Sequence, residues 1–148
     1  MIRNRGFSLL ELLLVLLIVS MMAALVGTSV SRSVSAAELR NASRGLIAAL
    51  RYTRSHAMVT HQEQVLLIDT EKKSYTPPMR EAVELPQAID LSLTTARREL
   101  VNENLGGIRF FPDGASTGGK VVLFVNQRQY EVNISWLTGE ARMTRVES

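Results

Sequence analysis

The chain has 148 residues, 46% of them hydrophobic, 5% aromatic and none cysteine, with 17 Lys plus Arg against 14 Asp plus Glu. That length suits one small domain, and the missing cysteines exclude disulfide scaffolds, cysteine-based zinc sites and thiol catalysis. Residues 7–27 (FSLLELLLVLLIVSMMAALVG) hold a single charge, Glu11, while nearly all the others follow them, so a uniformly globular protein is excluded as well.

The remaining part, about 120 residues, can bury a modest core but not a large cleft between two lobes. The net charge is +3, and Arg3 and Arg5 supply two of those charges ahead of the apolar run. Past them the cations and anions nearly balance, which leaves little attraction for a polyanion, and nucleic acid is not an expected partner.

Taken in chain order, residues 7–27 come first. At about 1.5 Å per residue they make a helix of about 31 Å, close to the thickness of a bilayer's hydrocarbon core. Arg3 and Arg5 precede it, so the positive-inside rule predicts a cytoplasmic amino terminus and an exported domain beyond. Three readings compete: a discarded secretory signal peptide, an ordinary signal anchor, and an anchor trimmed in front of its apolar run. A secretory signal peptide has an apolar region of about 7 to 15 residues with a small-residue cleavage site beyond it. Ala23-Ala24 and Ser35-Ala36-Ala37 offer small residues, but this run is longer and carries a carboxylate. An ionised side chain in a membrane helix costs about 2.5–3.5 kcal/mol and marks a partner, unless it snorkels from the helix end.

The setting of Glu11 carries the decision. Gly6-Phe7-Ser8-Leu9-Leu10-Glu11 follows a short basic leader and opens an unbroken apolar run. This hexapeptide resembles the type III signal of type IV pilins and type II secretion pseudopilins. The resemblance implies that a prepilin peptidase cuts between Gly6 and Phe7, N-methylates Phe7, and leaves Glu11 four residues past the cut. Cleavage there frees an α-amino group at Phe7 whose ordinary pKa of about 7.7–8.0 keeps it largely cationic at neutral pH. In a staggered bundle one chain's Glu11 can meet a neighbour's Phe7 ammonium, where an unpaired charge would be costly.

From Val30 to about Val59 no proline interrupts a helix. Leu39, Ala42, Leu46, Ala49 or Leu50, Thr53 and Ala57 recur at spacings of three and four, with Arg40, Arg44, Arg51 and Arg54 mostly off that stripe. The spacing predicts an amphipathic continuation of the anchor, one helix of about 50 residues and about 75 Å. Thr28 stands where many major pilins have a kinking proline, while Gly27 and Gly45 are weak points.

The rest predicts strands. Gln64–Asp69 and Ser74–Thr76 flank the turn Thr70–Lys73, and Pro77-Pro78 ends the pairing. Ala88–Leu93 alternates with Ile89, Leu91 and Leu93 on one face, and residues 94–107 read as a charged loop or short helix. Ile108–Phe111, Lys120–Val125 and Gln129–Trp136 follow, the last two joined by the turn Asn126–Arg128. Tyr130, Val132, Ile134 and Trp136 are predicted to form one buried face, and a final pair of short pieces flanks Thr138-Gly139. A long helix followed by antiparallel strands is an α+β architecture.

Phe110-Phe111-Pro112-Asp113-Gly114-Ala115-Ser116-Thr117-Gly118-Gly119, with the strand after it, residues Tyr130–Trp136 and Thr138-Gly139, is similar to the head signature of GspH-type minor pseudopilins and FimT/FimU-type minor pilins. The resemblance implies a pilin-like fold, in which a long amino-terminal helix packs against a carboxy-terminal antiparallel sheet head. It points away from major pilins, since no cysteine pair and no acidic calcium loop is present. The implied organisation is a leader at 1–6, a transmembrane and polymerisation segment at 7–27, an amphipathic helix half at 28–60 and a periplasmic head at 61–148.

Other chemistry is weaker. PDGASTGG lacks the Gly-x-x-x-x-Gly-Lys-[Ser/Thr] spacing of a phosphate loop, because Gly119-Lys120 runs into a strand, so its glycines are predicted to serve a turn. His56 and His61, five apart on a helix, diverge by about 140° and have no third ligand. No nucleophile elbow supports hydrolysis. The arginine row lacks interleaved aromatics and reads as a solvated or subunit-facing surface.

The expected function is therefore a non-enzymatic minor pseudopilin of type II secretion, without cofactor or metal, held in the bacterial inner membrane before it enters a periplasmic pseudopilus. The resemblance implies as partners the other major and minor pseudopilins, prepilin peptidase, the inner-membrane assembly platform, and secreted cargo or the secretin. A minor pilin of a type IV pilus or competence system is the nearest alternative, and an exported soluble binding protein is the alternative from a different class.

Overall fold

The computed structural model describes residues 9–147 and, within them, the side chains of 9–22 and 36–146. One helix, α1, runs from Leu9 to Thr60, 52 residues without a proline. It ends where His61 turns into the left-handed region at φ 54°, the conformation that commonly closes a helix carboxy terminus. The chain divides into two compact units, Met1–Ser35 and Ala36–Ser148.

In the second unit eight strands follow the helix: β1 (Gln64–Asp69), β2 (Ser74–Thr76), β3 (Val83–Glu84), β4 (Asp90–Thr94), β5 (Leu105–Phe110), β6 (Gly119–Val125), β7 (Arg128–Ile134) and β8 (Ala141–Glu147). They form two antiparallel four-stranded sheets, ordered β3-β2-β1-β5 and β4-β6-β7-β8. The predicted α+β, pilin-like class holds, with two sheets in the head. The β1–β2 turn is built by Asp69, whose Oδ1 accepts from the backbone N–H of Glu71 at 3.1 Å and of Lys72 at 2.8 Å. That is the local side-chain bonding that makes aspartate a turn former.

The predicted helical stripe is the spine of the core. Leu39, Leu46, Leu50 and Ala57 join Leu66, Ile68, Ile108 and Phe110 of the first sheet and Leu91, Val121, Leu123, Val132 and Ile134 of the second in one buried cluster. Two buried hydroxyls on the stripe are satisfied inside the helix: Ser43 Oγ donates to the Leu39 carbonyl and Thr53 Oγ1 to that of Ala49, each at 2.8 Å. Gly45 also finds its reason here, since a Cβ there would stand 3.0 Å from the hydroxyl of buried Tyr75. Residues 94–107 contain a short 3₁₀ turn at Arg97–Glu99 and the start of β5. The Glu99 side chain, 4% exposed, holds Arg109 Nε at 3.2 Å, and Arg109 Nη1 reaches Glu63 at 3.1 Å. The hydrogen bond that Arg109 donates to Glu99 is the main cause that raises the Arg109 pKa and holds it as a cation.

Three expectations are corrected. β7 stops at Ile134, because Ser135 donates its N–H to the Glu140 carbonyl at 3.0 Å and begins a reversal, so Trp136 lies outside the strand and is 69% exposed. β5 ends at Phe110, because the Phe111 N–H turns to the Ala115 carbonyl at 2.9 Å. The two short pieces flanking Thr138-Gly139 are instead one reversal and a seven-residue strand, β8, paired with β7 along its whole length.

Leu50→Ala, at the centre of the stripe, is expected to lower the unfolding free energy by about 2–5 kcal/mol; Arg44→Ala, on the exposed face, is expected to stay within about 0.5 kcal/mol. Denaturant titration followed by circular dichroism measures both. Burial raises the Tyr75 pKa above its ordinary value of 10.0. The folded state thus holds the phenol proton more tightly than the unfolded chain, and this contribution is intact below pH 10.0 and lost as pH rises through the folded value. Tyr75→Phe is expected to flatten the fall in melting temperature above pH 10.0, and parallel curves for both proteins would contradict this.

Candidate functional site

The first unit presents an apolar surface. The large apolar side chains described from Leu9 to Met22 are all exposed, from Leu9 at 80% to Ile18 at 46%. A helix apolar on every face belongs inside a larger assembly or a membrane. Its polar groups are few: Ser20 Oγ donates back to the Leu17 carbonyl at 2.9 Å, and Glu11 carries the charge of this stretch. Among the described residues no cation pairs with the Glu11 carboxylate, which stands exposed on the first turns. Gly6 and Phe7 lie outside the described residues. Among those described, no helix is long and apolar enough to cross a membrane; the side chains described stop at Met22, inside the 7–27 run.

The head loop has a different logic. After β5, Asp113 Oδ1 accepts the Ala115 N–H at 2.9 Å, and Gly114 donates its N–H to the Phe111 carbonyl at 2.9 Å, closing a tight turn beyond Pro112. Ser116 ties this turn to the β7–β8 reversal: its N–H donates to the Trp136 carbonyl and its Oγ to the Ser135 carbonyl, both at 2.9 Å. The same Oγ accepts the Gly118 N–H at 3.0 Å. Gly118 packs under Trp136, and Gly119 opens β6.

Arg54 of α1 completes the junction. Its Nε donates to the Gly114 carbonyl at 2.9 Å, and its side chain fills the space beside Gly114 and Gly139. Both glycines have positive φ, 88° and 65°. A Cβ on Gly139 would overlap the Gly114 carbonyl oxygen and stand 2.9 Å from Arg54 Nε. Gly114, Gly139 and Arg54 therefore form one latch that joins helix, loop and reversal. The loop is built as a turn and packs against helix and reversal, as its turn chemistry predicted.

This arrangement corrects the arginine row. Arg40, Arg44 and Arg51 are exposed as expected, but Arg54 is half-buried and committed to the latch. Its position beside the stripe, one residue past Thr53, was the available signal. The histidines also separate: His56 stacks on Tyr52 with ring centroids 5.7 Å apart, Arg80 lies 4.0 Å over the Tyr52 ring, and His61 ends the helix. Among the described residues no group of three or more His, Cys, Asp or Glu is placed to hold a metal.

Gly139→Ala is expected to lower the unfolding free energy by about 2 kcal/mol or more, because it adds both strain at positive φ and overlap in the latch. Leu137→Ala, two residues away and exposed, is expected to stay within about 0.5 kcal/mol, and thermal melts of both variants measure the difference.

The chain is similar to known proteins in both parts. The family model described as "Prokaryotic N-terminal methylation motif" matches residues 1–27. The model described as "Type II transport protein GspH" matches residues 42–139, from the helical stripe through Arg54 and the head loop to Gly139. The chain is 36% identical over 138 residues to the type II secretion system protein H of Xanthomonas campestris pv. campestris, across 93% of this chain and 82% of that protein. Among solved structures it is similar to the minor pseudopilin EpsH from the type 2 secretion system of Vibrio cholerae, with a TM-score of 0.58 and 13% identity over 73% of this chain and 97% of that one. The last likeness speaks for the fold, and the matched helix, loop and reversal are the elements that the latch joins. On these grounds the chain belongs to the GspH family of type II transport proteins.

Proposed function

We propose that this chain is a minor pseudopilin of a type II secretion system, which works by assembly and carries no catalytic step of its own. Residues 1–6 are its leader, removed between Gly6 and Phe7, and residues 7–27 are the segment stored in the inner membrane and then buried in the pseudopilus. The head lies on the periplasmic side. Other pseudopilins are its partners in the fibre, prepilin peptidase processes it, and the assembly platform extracts it from the bilayer.

One observation carries this reading: Leu9–Met22 is apolar and exposed on every face, with one carboxylate, Glu11, among its side chains. Each large aliphatic side chain removed from water there gains about 1.5–3 kcal/mol, so lipid or neighbouring helices must cover it. Lipid alone leaves Glu11 without a partner. A staggered neighbour whose Phe7 ammonium reaches it supplies one, and breaking such a buried pair from one side costs about 3–5 kcal/mol. Glu11 thus acts as a register pin, and the apolar side chains supply the association energy.

Glu11→Ala is expected to be cleaved after Gly6 at close to the normal extent and still reach the membrane, while its co-purification with the other pseudopilins falls several-fold. Immunoblots of the membrane and sheared-fibre fractions read both properties at once. Normal incorporation of the variant would remove the register-pin role. Replacing Gly6 by leucine is expected to leave the leader attached, which a mobility shift detects.

A further inference from the structure

The carboxy-terminal strand β8 is an open sheet edge. Among the described residues it pairs with β7 on one side and has no strand on the other. The pairing pattern fixes which backbone groups face outward. Val125 and Arg128 close the two-residue turn Asn126-Gln127, so they form a hydrogen-bonded pair, and alternate residues of β7 bond to β6. Gln129, Glu131 and Asn133 then bond to β8, through Val146, Thr144 and Arg142. The other end agrees, since Ser135 donates to the Glu140 carbonyl. By this alternation Ala141, Met143 and Arg145 turn their N–H and C=O groups away from the sheet.

That edge borders two clefts against α1. One, of about 450 Å³, lies between Arg51, Arg54 and Ser55 of the helix and Ala141 and Arg142 of the strand. The other, of about 200 Å³, lies between Ala36 and Leu39 of the helix and Arg145 with its β7 neighbours. Helix and strand run in opposite senses past one another, so the two clefts lie at opposite ends of the groove between them. Arginine dominates its lining: Arg51, Arg54 and Arg142 stand at one end and Arg128 and Arg145, which already hold partners, at the other, and Glu140, the acidic residue among the lining groups, is held by Arg142 at 2.9 Å. Arg51 is exposed, and no described acidic group pairs with it.

We propose that this groove binds an extended acidic segment of a neighbouring pseudopilin, which adds as a strand to β8 and places carboxylates on Arg51 and its neighbours. The outward main-chain groups of Ala141 and Met143 supply pairing, which is how strand addition gains affinity. The arginines supply selectivity, because guanidinium–carboxylate bonds are charge-assisted and directional. A nucleic acid strand would meet the charge but has no alternating N–H and C=O groups to match the edge. An open seven-residue edge is also a hazard for a protein kept in concentrated assemblies, and a bound segment protects it. That the segment comes from a pseudopilin rests on the function proposed above; the acidic, extended character of the occupant rests on the groove.

The test uses the full chain in detergent micelles and a labelled, capped heptapeptide alternating glutamate with valine, read by fluorescence anisotropy. A glutamine analogue and a single-stranded thymidine oligonucleotide serve as comparison probes. The acidic peptide is expected to bind saturably, the glutamine analogue about tenfold more weakly or worse, and added salt to weaken the acidic peptide only. Arg51→Glu is expected to weaken binding about tenfold or more with an unchanged melting temperature. Met143→Pro removes an outward N–H without touching the β7 ladder and is expected to abolish binding; should it fail to fold, Arg51→Glu and the glutamine analogue decide. Equal binding of the two peptides, no binding of the acidic one, tighter binding of the oligonucleotide, or unchanged affinity in Arg51→Glu would overturn the proposal. Because this assay reads the head and the processing assay reads the amino terminus, failure of either leaves the other standing.

Discussion

An apolar helix surface without a core beneath it is the constraint on which this protein turns. From Leu9 to Met22 the described side chains offer lipid-like surface on every face, and among the described residues they stand exposed. The hydrophobic effect therefore assigns the covering to other molecules, which in the proposed function are lipid first and helices of like kind afterwards. Glu11 decides between the two. In a bilayer it is a cost, whereas in the proposed bundle, where a neighbour's freed amino terminus would come within reach, it would be the contact that sets the stagger.

The later part of the same helix faces the opposite problem and solves it within the chain. Leu39, Leu46, Leu50 and Ala57 are the shared wall of a core to which both sheets contribute, so the helix cannot leave the head without exposing both. Arg54 adds a polar fixture at the far end of this stripe, where the loop after β5 and the reversal after β7 meet. The head residues on which the sequence resemblance rests, the Asp113-Gly114 turn, the Gly118-Gly119 step and Gly139, are the places where backbone must approach backbone or an arginine side chain. Their glycines serve packing, which is the role that a glycine-rich run takes between a strand end and a helix.

The sequence disclosed what was governed by periodicity or by local turn chemistry. The 3.6-residue stripe, the strands Gln64–Asp69 and Ser74–Thr76 with their aspartate turn, and the apolar strand before Asn126 were all legible for that reason. Glu11 stands out in the sequence because a charge inside an apolar run needs an explanation, and its assembly role belongs to the proposed function. Features set by long-range pairing were not legible. β8 reads as Ala-Arg-Met-Thr-Arg-Val-Glu, an edge strand whose arginines mask any alternation. Trp136 followed the alternation of β7 in sequence but not in space, since the reversal begins one residue earlier. Arg54 looked like its neighbours in the arginine row, and only the packing of residues 60 positions away along the chain sets it apart. The division of the strands into two sheets likewise depends on pairings such as β1 with β5, which no local pattern encodes.

The account therefore stands on what the amino-terminal segment becomes after synthesis. A secretory signal would be discarded, a plain anchor would keep its first residues, and a polymerisation helix begins at Phe7 with a modified amine. Intact-mass and amino-terminal mass spectrometry of the chain purified from its native membrane distinguishes the three. The predicted result is a mature chain that starts at N-methylated Phe7 and retains Glu11; a chain that retains Met1, or one that starts near residues 25–38, would contradict it.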